Sequence, residues 1–266
     1  MTWLFNIGMV VYVFALVVSI IGLVSRKRFF DGLASALIGS GAAVQTAYMI
    51  LRWVAAGRPP FSNMFESLVL FAWAVAVVYL LLRIWIDISL LAAPAALLSA
   101  VALAYASAFF AKDIQPLVPA LQSNWLTFHV FTCFKGYGGF AISFLAGVGY
   151  LIATRSASKA SPDVREMLEI VVAQAASFGF IFLTLGIITG AVWANSAWGT
   201  YWSWDPKEVW SLITWLIYAV FLHCRFMRGW RGRLAAWISI IGFASVLFTY
   251  MGVNLWMSGL HSYGSK

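Results

Sequence analysis

Residues 3–25 read WLFNIGMVVYVFALVVSIIGLVS, a run without a charged side chain that ends at Arg26-Lys27-Arg28. As a helix rising about 1.5 Å per residue, the run is roughly 34 Å long, enough to cross a hydrocarbon core of about 30 Å. No basic segment precedes it and no small-residue cleavage site follows, so a retained span is expected rather than a signal peptide. The rest of the chain has the same character. Of its 266 residues, 63% are hydrophobic and 10% charged, with a mean hydropathy of +0.90. A soluble fold of this length leaves roughly a quarter of its unfolded surface in water and could not hide so much apolar area. Composition thus excludes a soluble enzyme, a disordered chain and a disulfide-rich secreted module.

Seven further apolar runs follow, at about 33–54, 67–85, 88–110, 125–154, 167–193, 206–224 and 234–257. The expected fold is all-α: a polytopic membrane protein of about eight transmembrane helices, with no tandem repeat and no linker, in one membrane domain over 1–266. Orientation comes from the basic residues. With the connection after the first run inside, the inside connections hold Arg26, Lys27, Arg28, Arg83, Arg155, Lys159, Arg165, Arg225, Arg228, Arg231 and Arg233. The outside set is Arg52, Arg58, Lys112, Lys135, Lys207 and Lys266. Both termini are then external. The net charge of +8 records this bias; without a soluble face it does not point to nucleic acid. Cys133 and Cys224 lie in apolar runs, form no CxxC or zinc spacing, and read as buried free thiols.

The external side collects the unusual chemistry. Around the junction of runs six and seven, Trp193, Trp198, Trp202, Trp204, Trp210 and Trp215 fall within 23 residues. An interfacial aromatic belt places one or two tryptophans at a helix end. A dense run suits a platform for a large flat apolar ligand, because indoles offer broad faces and an N–H for a polar edge. Asp205-Pro206-Lys207-Glu208 is a helix start, with Asp205 as N-cap, Pro206 at N1 and Glu208 at N3, the pattern of a capping box. Three histidines are present. His129 and His261 flank the tryptophan stretch in sequence at matching depth, and His223 lies 17 residues past Pro206, roughly 25 Å deeper. Two neutral imidazoles on opposite faces of a porphyrin would hold its iron six-coordinate. A zinc hydrolase would need a third ligand and a general base, and acids are few here. No HExxH or GxSxG supports an intramembrane protease, and a transporter stays open.

Residues 198–215, WGTYWSWDPKEVWSLITW, resemble the "WWD" signature of heme-handling proteins, and within them the CcsA (ResC) type of the System II cytochrome c biogenesis machinery. Asn63-Met64-Phe65-Glu66-Ser67 resembles that family's outer-loop motif. The segments beginning at His129 and ending around His261 resemble its two external histidine segments. The resemblance implies heme b as bound substrate. It implies His129 and His261 as external axial ligands of the heme iron, beside a platform of Trp198, Tyr201, Trp202, Trp204, Asp205 and Trp210 within the segment 193–215. It implies His223 as an intramembrane ligand on the heme's route. The family scheme needs two intramembrane histidines, and this chain has no fourth histidine, so the other would come from a CcsB (ResB)-type membrane partner.

The implied activity is that of a holocytochrome c synthase (heme lyase) complex acting on apocytochrome c bearing Cys-x-x-Cys-His. A thioredoxin-like reductant of the apocytochrome is a further implied partner, and the setting is a bacterial cytoplasmic or thylakoid-type membrane. The alternative is a CcmC-like carrier that presents heme without ligating it, although that type is described with six spans and lacks the Pro-Lys-Glu-Val-Trp-Ser continuation. A heme- or quinone-binding subunit of a respiratory complex is a third class. Lys112 and Lys135 could meet heme propionates or simply lie at the interface.

Overall fold

A computed structural model describes residues 1–155, 160–257 and 259. Among them no strand occurs, and eight helices are long and apolar enough to cross a membrane. They are α1 (Thr2–Ser25), α2 (Arg28–Ala56), α3 (Met64–Trp85), α4 (Ala92–Phe109), α5 (Asn124–Ala153), α6 (Pro162–Trp198), α7 (Pro206–Met227) and α8 (Gly232–Leu247). A π turn (Phe248–Gly252) and a short α9 (Val253–Trp256) continue the last span. In a medium without water every backbone N–H and C=O needs an internal partner, and helices supply it. The all-α polytopic expectation is met, and the chain is an integral membrane protein. It divides into two compact units, 1–116 and 117–266.

In the first unit α1 packs against α2 and α4, and α3 against α2 and α4. Polar links join the helices where no water could. Tyr12 donates to Gln45 Oε1 at 2.5 Å, and Gln45 passes its own N–H to the Val69 carbonyl at 3.2 Å. The α2–α3 turn is held by a buried carboxylate. Glu66 accepts from Arg52 Nε at 2.9 Å, Arg58 Nη1 at 3.0 Å and the Ser62 amide at 3.0 Å. Asn63 Oδ1 caps α3 by accepting from the Glu66 amide at 2.8 Å. The two guanidiniums then reach the carbonyls of Lys112, Asp113 and Gln115, so one acid ties three segments of this unit together.

In the second unit α5 and α6 run backbone to backbone. A Cβ on Gly139 would lie 2.8 Å from the Gly179 amide nitrogen, and one on Gly136 would lie 3.0 Å from the Gly179 carbonyl. α5 also meets α7 and α8. Tyr218 stacks on Phe140 with ring centroids 3.6 Å apart, and Phe243 stacks on Phe144 at 4.9 Å. Thr214 bonds Ser245 at 2.7 Å between α7 and α8. Cys133 and Cys224 are free and buried, as expected.

Several helix ends fall outside the apolar runs. α6 starts at Pro162 rather than near 167, because Ser161 caps it by accepting from the Val164 amide. It also runs on to Trp198 rather than stopping near 193. Ala-Asn-Ser-Ala continues a helix without difficulty, and the stop is Gly199 in the left-handed region at φ 77°. α2 begins at Arg28 rather than near 33, with Asp31 in its first turn, where an acid favours the helix N-terminus. Glu66→Ala would leave two buried guanidiniums without their carboxylate, a loss of about 3–5 kcal/mol. A thermal melt of the detergent-purified chain followed by size-exclusion should show a clear drop in Tm, much larger than for Asp87→Ala at an exposed pair.

Candidate functional site

The tryptophan-rich segment is two helix ends joined by seven residues. Trp193 and Trp198 belong to α6 and Trp210 and Trp215 to α7; only Gly199–Asp205 is non-helical. The expected connection between runs six and seven is therefore shortened at its start, while its end at Pro206 is as expected. The junction is bolted at both sides. The Gly199 amide closes α6 on the Asn195 carbonyl at 3.0 Å. On the other side Asp205 accepts from the Lys207 amide at 3.0 Å, and Glu208 reaches back to the amides of Asp205 at 3.2 Å and Ser203 at 2.7 Å. The expected capping box is present, and Glu208 extends it into the loop.

Held this way, the loop displays its aromatics. Tyr201 is 61% exposed and Trp204 69%. Trp204 has φ 60°, a conformation costly for a bulky side chain, by about 1–3 kcal/mol. Trp202 packs edge-on to Trp204 with centroids 5.8 Å apart, and its indole N–H is buried with no hydrogen-bond partner among the described residues. Trp193 is buried and donates to the Ala120 carbonyl at 3.0 Å, and Trp198 lies across it at 4.9 Å. Trp210 packs on Phe248 of the π turn at 4.2 Å, and Thr249 of the same turn donates to the Trp210 carbonyl at 3.2 Å. Lys207 donates to Asn254 Oδ1 at 2.9 Å, which draws α9 to the start of α7.

His129 sits on α5 against this end of α6. Its Nδ1 lies 2.7 Å from the Gly186 carbonyl, and its ring runs nearly parallel to Trp193 at a centroid distance of 5.9 Å. Cys133 Sγ lies 3.7 Å from Nδ1. The structure thus groups His129 with Trp193 and Trp198. His261 lies outside the described residues. Two residues before it, a Cβ on Gly259 would collide with the Asp205 carboxylate and lie 3.2 Å from Pro206 Cδ. Gly259 itself therefore lies beside the N-terminal end of α7. His223 belongs elsewhere: it is exposed near the far end of α7, on the stripe of Leu216 and Val220, opposite the buried Thr214, Tyr218 and Phe221. Lys135 lies over the rings of Phe131 and Phe182 at 4.3 and 5.0 Å, and Lys112 over Phe5 at 5.3 Å.

A family model described as cytochrome C assembly protein matches residues 61–261. The chain belongs to that family. Among its relatives, the "Cytochrome c biogenesis protein CcsA" of Synechococcus sp. (strain CC9605) is 37% identical over 97% of this chain and 94% of its own length. The protein of that name from Chlamydomonas reinhardtii is 42% identical over 81% of this chain, which spans 64% of the Chlamydomonas protein. Among solved structures, "Cytochrome c Heme Lyase CcmF" superposes with a TM-score of 0.70 at 20% identity, over 93% of this chain and 45% of that one, and shares the fold.

Sequence reasoning named His129 but not its surroundings. Gly186 and Gly190, spaced four apart on α6, form the wall it faces, and Trp193 roofs it. The Gly-x-x-x-Gly spacing was the available signal, since it marks close helix contacts in membranes. The Arg52–Glu66–Arg58 cluster was missed as well, because its members lie on different segments. Glu208→Ala would release the Ser203 and Asp205 amides at a cost of about 1–2 kcal/mol. Acrylamide quenching of tryptophan fluorescence should rise in this variant, while Glu208→Gln should stay close to the parent.

Proposed function

We propose that this chain works in cytochrome c biogenesis, taking heme b as substrate and presenting it at the tryptophan-rich end of the second unit for covalent attachment to apocytochrome c. The observation that carries the proposal is the setting of His129. Its Nδ1 faces a carbonyl, so its Nε2 carries the lone pair. Its ring lies beside Trp193 and Trp198, at the end of α6 from which the exposed aromatics of 199–205 project. That donor and that surface fit a heme. His261 is the second axial ligand, and Gly259, two residues before it in the chain, lies beside Asp205. Trp198, Tyr201, Trp202, Trp204 and Trp210 form the platform, and Asp205 sets its angle as the cap of α7.

The chemistry adds two cysteine thiols of a Cys-x-x-Cys-His segment across two vinyl groups. Each S–C bond replaces a vinyl π bond, and the thiol hydrogen goes to the other vinyl carbon. The substrate brings its own nucleophiles, so the protein's part is positioning, which can be worth several kcal/mol. Bis-histidine ligation keeps oxygen from the iron until the histidine of the substrate replaces one ligand. His223 stands on an outward face of α7, which suits an intramembrane heme route completed by a histidine of a CcsB (ResB)-type partner. The chain acts as one membrane domain with both termini external, part of a heme lyase complex whose apocytochrome is kept reduced by a thioredoxin-like protein.

The purified chain, with and without a co-expressed partner, should give the sharp α and β bands of low-spin heme on reduction. His129→Ala or His261→Ala should lower heme occupancy or convert it to high spin, with added imidazole restoring the bands. Normal spectra and full thioether formation in both variants would overturn the ligand assignment. His223→Ala should instead cut heme delivery and leave the spectrum of supplied heme unchanged. A complex that passes heme on without forming thioethers would favour the carrier alternative.

A further inference from the structure

Resting on the assignment of His129 as a heme ligand, we infer that Gly186 and Gly190 of α6 are the positioning residues of that ligand: the Gly186 carbonyl holds the Nδ1 proton, and the bare Cα of Gly190 gives the ring its place. A carbonyl oxygen only accepts, so the contact of 2.7 Å requires the proton to sit on Nδ1. A neutral imidazole has one N–H. Its lone pair is therefore on Nε2.

Three further observations keep the ring there. A Cβ on Gly190 would lie 2.5 Å from Nδ1 and 2.7 Å from Cε1, so no other residue fits without moving the imidazole. Trp193 lies nearly parallel to the ring, and its own indole is tied to the Ala120 carbonyl. A Cβ on Gly186 would run into Cys133 one turn along α5, 3.2 Å from its backbone nitrogen, so the acceptor carbonyl rides on a helix already in contact with α5. Residues 186, 190 and 193 fall on one face of α6, and together they supply the acceptor, the clearance and the roof. A carbonyl on the remote N–H of a ligating imidazole orients the ring and raises its donor strength toward iron.

Two measurements test this on the full chain, and the first needs no heme. Nitrogen-15 NMR of histidine-labelled protein, with His129 assigned by the loss of its signals in His129→Gln, should show a protonated Nδ1 and a bare Nε2. The opposite tautomer would overturn the inference while leaving His129 as a ligand. The second uses heme b added to the reduced protein. Gly190→Ala should lose most low-spin heme and recover it with imidazole, as His129→Ala does. Gly179→Ala, whose Cβ would meet the Phe140 ring, should reduce yield without any rescue. A Gly190→Ala protein with full low-spin heme beside a defective His129→Ala would sink the positioning role alone. A His129→Ala protein with normal heme would sink the ligand assignment, and this inference with it.

Discussion

The near contact of the α5 and α6 backbones governs the second unit. In a membrane no hydrophobic force draws helices together, because lipid tails are as apolar as side chains; close van der Waals packing has to do it. Gly136 and Gly139 meet Gly179 where any Cβ would overlap backbone atoms. That approach sets how far each helix can slide on the other. It thereby decides which carbonyl of α6 stands opposite His129 about two turns away. Beside it Phe140, whose ring also abuts Gly179, receives Tyr218, and Phe144 receives Phe243.

From this contact the order runs outward to the loop. α6 carries Trp193 and Trp198 to its last turn and stops at a left-handed glycine. α7 starts within seven residues, under a cap made by Asp205 and Glu208. The segment between is short and pinned at both ends, so it retains little conformational freedom. The strained φ of Trp204 belongs to the same design. An indole is kept facing outward at a local cost that the cap and the surrounding helix packing sustain. The first unit has a comparable device in Glu66, whose single carboxylate organises two arginines and, through them, the chain after α4.

Much of this is legible in the sequence where the determinants are local. The eight spans follow from runs such as 3–25, since length and apolarity alone make a crossing helix. The start of α7 follows from Asp-Pro-Lys-Glu, because a capping box is written within four residues. The ends of α6 do not follow from hydropathy, which falls off before the backbone leaves the helix; Ser161 and Gly199 are better guides. The pairing of His129 with Gly186 is not legible, because 57 residues separate them and the face that α6 turns to α5 is settled by packing. The same holds for Arg52 and Glu66, 14 residues apart on two helices. The π turn at Phe248–Gly252 carries no local signature at all, yet it places Phe248 on Trp210.

The partner of the His129 imidazole is main chain, and this has a consequence for genetics. Every residue type except glycine alters what surrounds position 186, but all twenty present the same carbonyl there. A survey that shortens side chains one by one cannot delete that oxygen. It would score the histidine, record a steric defect at the two glycines, and pass over the acceptor itself. The group that holds the Nδ1 side of the ring is thus shielded from point substitution, and it can drift only if the helix carrying it moves.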